Sequence, residues 1–142
     1  MKKIITFFML PCFLFWFSSA KADLPYLVPK CPNTKTFAET SINNKNELLM
    51  KLNEIVPIAY PDKMYKEWNV LEIAPLYKAQ GINYDKVYYK MVEKLCNKEV
   101  AENSWLVELE FPKFLPSASA STGIMFVVKD KEKGWYVWYT YR

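Results

Sequence analysis

Histidine is absent from the 142 residues. That removes the commonest general base, the Ser-His and Cys-His nucleophile pairs and the usual zinc ligand together. Arginine occurs only as Arg142, a compositional bias toward lysine and no more. Glycine stands at three positions, Gly81, Gly123 and Gly134, and cysteine at three, Cys12, Cys31 and Cys96. There is no Cys-x-x-Cys pair, which argues against a redox dithiol. No stretch has the dense alternating acidic spacing of a calcium loop, and Asp62, Asp85 and Asp130 read as caps and turn residues. Asn33-Thr34-Lys35 and Asn103-Ser104-Trp105 are not glycosylation acceptors. No internal repeat is present.

What is there begins with an export signal over residues 1–22. Lys2 and Lys3 make a basic start, Ile4 to Phe17 is apolar apart from Thr6 and Pro11, and Ala20 and Ala22 supply the small residues read by a signal peptidase. Cleavage is expected before Asp23. The apolar run is shorter than the roughly 20 residues a membrane-spanning helix needs. Pro11 before Cys12 does not fit a lipoprotein signal, so no stable membrane anchor is expected after cleavage. The destination is the periplasm or the medium. Three of the 19 basic residues, Lys2, Lys3 and Lys21, lie in the signal, and the remainder is close to balance against 15 acidic residues. Near neutrality argues against a nucleic-acid partner, which needs clustered excess base.

Cys31 and Cys96 are the two cysteines outside the signal, and an even pair in an exported chain reads as a disulfide. Its loop of about 66 residues is worth roughly 4 kcal/mol in the chain-entropy model.

Residues 23–46 read as an extended arm, kept out of helix by Pro25, Pro29 and Pro32 and tied down through Cys31. Residues 47–142 read as a single domain. Leu48, Leu49, Leu52, Ile55 and Val56 recur at helical spacing, and Pro57 and Pro61 are expected to end that helix. Asp62 is a plausible cap for a second helical stretch, Lys63 to about Ile73, although Val70–Ile73 also suits a strand. Pro75 and Gly81 bracket a short turn. Asn83 then caps the most regular helix, in which Tyr84, Val87, Tyr88, Met91, Val92, Leu95 and Cys96 share one face.

From Ser104 the period changes to two. Trp105 to Phe111, Thr122 to Lys129 and Trp135 to Tyr141 read as strands, with Asp130–Gly134 as a hairpin connection and Pro116–Ser121 as a small-residue loop. The fold class is therefore α+β, with two to three helices followed by an antiparallel three-stranded meander and a helix on one sheet face. Cystatin-like and nuclear-transport-factor-2-like domains share this broad layout, an analogy of architecture that carries no function.

Two constellations could carry chemistry. On the last strand, Tyr136 and Trp138 share a face with Thr140 and no aliphatic residue. If only one sheet face is covered, they form an exposed aromatic patch able to stack on a sugar or seat a protein. Glu108 and Glu110 lie two apart on one strand face, a spacing compatible with a carboxylate pair at a glycosidic bond. No cofactor or metal site is indicated. The expectation is a non-enzymatic exported binding module, with an envelope protein or cell-wall glycan as partner. An inhibitor or immunity-type protein is a variant of it. A small exported hydrolase using Glu108 and Glu110 is the alternative.

Overall fold

The structure is a computed structural model that describes residues 29–78 and 84–141. The export signal, the start of the arm, Gly81 and the Asn83 cap lie outside the described residues.

The domain is α+β, with α1 (Lys45–Ala59), α2 (Tyr84–Leu95), α3 (Lys98–Asn103) and an antiparallel sheet of β1 (Asn69–Pro75), β2 (Trp105–Glu110), β3 (Thr122–Asp130) and β4 (Gly134–Tyr141). The sheet is a meander in the order β1-β2-β3-β4, one strand more than the three expected. The extra strand takes the second part of the stretch Lys63–Ile73, where the strand alternative for Val70–Ile73 holds and the helix does not. Only Lys63–Tyr65 is helical, a single 3-10 turn whose Met64 N–H donates to Asp62 Oδ1 at 2.8 Å. Beyond it the chain is extended, because Val70 and Ile73 pair with Leu109 and Val107 of β2 and bury against the core there.

Pro57 does not end α1, which runs two residues further to Ala59. Pro57 is exposed, so the carbonyl deprived of its partner one turn earlier meets water rather than core. Upstream, Ser41 and Asn44 form a reciprocal capping box that leads into the helix. Glu47 in its first turn is bound by Lys129 of β3 at 2.7 Å and by Asn44 at 2.8 Å, which hold its carboxyl below the usual range. The Lys129 ammonium also lies 5.7 Å from the Trp135 ring centre.

Both sheet faces are covered. On one, Leu48, Leu52, Ile55 and Val56 of α1 pack on Trp105, Val107 and Leu109 of β2, Met125 and Val127 of β3, and Trp135 of β4. On the other, Tyr88 and Val92 of α2 and Val100 and Ala101 of α3 pack on Leu106, Ile124, Phe126 and Val128. The expectation of a single covered face fails because β3 is apolar on both sides, with every residue from Gly123 to Val128 buried.

Cys31 and Cys96 are bonded, with their Cα atoms 5.6 Å apart. The link ties the arm to the end of α2. Phe37 of the arm is buried and forms a bridge with Asp130. Asp130 also organises the hairpin, accepting from the backbone N–H groups of Glu132 (2.8 Å) and Lys133 (2.9 Å). With the Thr36 hydroxyl these bonds lower its carboxyl to about 2. Gly134 closes the turn at φ 72°, a conformation that favours glycine.

Candidate functional site

β4 is the outermost strand, and its side away from β3 is an open sheet margin among the described residues. Beside it runs a groove of about 350 Å³, walled by Ile55, Ile58 and Ala59 of α1 and by Trp135–Thr140 of β4. Both aromatic candidates, Tyr136 and Trp138, line it. They are half-buried, because α2 and α3 cover the sheet face they share. Burial, helped by Asp130, pushes the Tyr136 phenol up.

A β-bulge governs this strand. Phe126 pairs with Tyr139 while the next residue, Val127, pairs with Val137, so Trp138 is the extra residue. Strict alternation would set Tyr139 and Tyr141 opposite to Tyr136. The bulge instead brings Tyr139 into the cluster with Phe126, Tyr136 and Trp138, and sets Tyr141 edge-on to Tyr88 at 5.8 Å. The Trp138 ring stacks on Tyr139 at 5.7 Å and lies 6.0 Å from Phe126. Its indole N–H donates to Ser104 Oγ at 3.1 Å, and that buried hydroxyl donates to Val100 O at 2.7 Å. Ser104 thus joins the end of α3 to the bulge. The sequence offers no signal for it beyond a small polar residue before a strand.

The carboxylates of β2 have separate neighbours. Glu110 is exposed, with Asn69 Nδ2 3.4 Å from its Oε2. Glu108 is partly buried and sits opposite Glu72 of β1 in the strand register. Burial first, and the Glu72 charge second, raise its carboxyl above the usual glutamate range. Lys129 of β3 binds Glu47.

The raised Glu108 makes a definite prediction. Its carboxylate opposes folding above its folded-state pKa, and the penalty disappears as pH falls to the ordinary glutamate range. Glu108→Gln should therefore stabilise the protein at neutral pH by a fraction of a kcal/mol, the penalty being shared with solvent. The gain should vanish at acid pH. Urea denaturation of both proteins at the two pH values measures it; a loss of stability at neutral pH would contradict the assignment.

No cluster of three or more His, Cys, Asp or Glu suited to a metal ion occurs among the described residues. No helix among them is long and apolar enough to cross a membrane. A second groove, of about 640 Å³, follows the opposite margin between α1 and β1, lined by Ile42, Leu49 and Val70–Ala74 with Lys45 and Lys78. Compared with family models, with curated proteins and with solved structures, the chain matches none.

Proposed function

We propose that this chain is an exported, non-enzymatic interaction module that engages a protein through the β4 margin. One observation carries the reading: among the described residues β4 is an uncharged edge strand beside an apolar groove. An open edge offers a row of backbone donors and acceptors to an extended segment, and the groove receives its side chains. Export is supported by the leader sequence and by the disulfide.

A protein fits this margin better than a cell-wall glycan. Sugar recognition by aromatics needs a free ring face, and Trp138 is stacked on Tyr139 with its indole N–H already engaged. The hydrolase alternative has less support. The carboxylate that perturbs Glu108 is Glu72 across the strands rather than Glu110, and no histidine is available to assist.

The test is capture by the immobilised secreted protein from envelope and medium fractions of the producing cell, with cell-wall glycan as a separate arm. Trp138→Ala would confound binding with folding, because it removes the Ser104 bond and core contacts. Ile58→Lys is cleaner: Ile58 is 79 % exposed on α1 and on the groove wall. The expected result is one defined protein, lost with Ile58→Lys. Capture of glycan alone, or capture indifferent to Ile58→Lys, would overturn the reading.

A further inference from the structure

The margin opposite β4 borders a groove of another character. It runs between α1 and β1 and has a volume of about 640 Å³, the size of a small-ligand site. Leu49 of α1 and Val70 and Leu71 of β1 wall its length, and Leu49 and Leu71 are 44 % and 52 % exposed. Lys45 and Lys78 border it as well. Both lysines lie at one end. Pro75, at the end of β1, pairs with Trp105, whose indole N–H donates to Thr40 Oγ1 at 3.2 Å, just before the chain turns into α1 at Lys45. Lys78 follows Pro75 by three residues. Val70, near the other end of β1, lies roughly 15 Å away along the strand.

The groove is therefore polarised. Neither ammonium has an ion pair among the described residues, and Lys78 lies 5.6 Å from the ring centre of exposed Tyr77. Glu72 also borders the groove, but alternation from Ile73 sets its side chain on the face of Ala74, away from α1, where its charge acts on Glu108. The α1 side of the groove thus has apolar walls along its length and unbalanced positive charge at one end. We propose that this groove binds a free single-chain amphiphile with an anionic head, the head at Lys45 and Lys78 and the chain along Leu49, Val70 and Leu71. The site is separate from the β4 margin, and the proposal does not rest on the reading of that margin.

Charge and backbone select this class of ligand. An uncharged or cationic amphiphile gains nothing from the two lysines. A nucleic acid needs a stripe of clustered base, and here two cations stand beside an apolar wall. An extended peptide needs a regular ladder along the margin, but Pro75 has no N–H to donate and the register shifts at Leu71. An acyl chain makes no such demand, since its affinity comes from apolar area removed from water. A groove between a helix and a strand admits one chain, whereas the flat surface of a bilayer does not enter it.

The experiment titrates decanoate, below its micelle concentration, into the secreted, disulfide-intact protein by isothermal calorimetry. Decanol serves as the uncharged twin, and vesicles of an anionic phospholipid form a separate arm. The expected result is one saturable site that takes decanoate about fivefold or more tighter than decanol at low salt, a preference that shrinks as salt is added. Lys45→Gln with Lys78→Gln should erase the preference and leave decanol binding unchanged. Leu49→Gln should weaken both ligands about threefold or more. Ile58→Lys, in the other groove, should change neither. All four residues are exposed, so folding is not at stake. No saturable binding of decanoate, equal affinity for decanol, or a preference that survives loss of both lysines would overturn the proposal. So would a loss with Ile58→Lys as large as with Leu49→Gln, which places the site elsewhere, or binding to the vesicles alone, which makes it a membrane contact.

Discussion

Gly123→Ala is expected to destabilise the protein by about 1–3 kcal/mol, the range for forcing an atom into a packed core. Gly123 lies in β3 opposite Leu109. A Cβ built there would stand 2.5 Å from Tyr60 Oη, 2.9 Å from Tyr60 Cζ and 2.9 Å from Phe111 Cε2. Neither ring has room to withdraw. Tyr60 and Phe111 are buried, meet edge to face at 4.9 Å, and are both held by Tyr65, whose ring lies 5.4 Å from one and 4.7 Å from the other. The requirement comes from the approach of the Tyr60 ring rather than from any special backbone angle. Tyr60→Phe removes the nearest atom and should recover part of the loss, leaving the carbon contacts. Urea denaturation of the two single variants and the double variant measures this. A Gly123→Ala cost within about 0.5 kcal/mol, the scale of an ordinary surface change, would contradict the packing described.

Removing the disulfide has an effect of similar or larger size. Cys31→Ser with Cys96→Ser should cost about 2–5 kcal/mol. The link spans 65 residues and joins the arm to the end of α2, whose buried face rests on Tyr88 and Val92. α1 is anchored independently, by its own core face and by the Glu47–Lys129 pair. Loss of the bond should therefore raise amide exchange first in α2 and the arm, and later in α1. Thiol reagents should find nothing to modify in the folded protein until a reductant is added. Two reactive thiols in the unreduced protein, or an unchanged melting temperature in the double variant, would contradict the assignment.

How legible each element is in the sequence follows the strength of its local signal. α2 is legible because its apolar residues follow the helical period, and Tyr88 and Val92 are buried as that pattern requires, although Val87, placed on the same face by the pattern, is 59 % exposed. The hairpin was legible because Asp130 and Gly134 supply the turn chemistry at its two ends. β1 was obscured by Met64, Tyr65 and Trp68, whose helical spacing extends a single 3-10 turn too far. The second covered face was legible in principle. Gly123–Val128 has no polar residue at any position, the mark of a strand buried on both sides.

The candidate site was legible only in part. Tyr136 and Trp138 line the groove, but the bulge that places them depends on Ser104, distant in sequence, and on a pairing shift that no local pattern announces. Ile58 was hidden among the other apolar residues of α1, because its exposure depends on which strand lies beneath the helix end. The Glu108–Glu110 spacing was correct on paper and incomplete in space, since register, not spacing along one strand, sets Glu72 opposite Glu108.

The most direct test of the interaction reading compares Ile58→Lys and Glu108→Gln side by side with the parent, both folded, in capture from envelope fractions and in hydrolysis of cell-wall glycan. The account predicts that Ile58→Lys abolishes capture, that Glu108→Gln leaves it intact, and that none of the three proteins hydrolyses the glycan. Hydrolysis by the parent that is lost with Glu108→Gln and untouched by Ile58→Lys would contradict it.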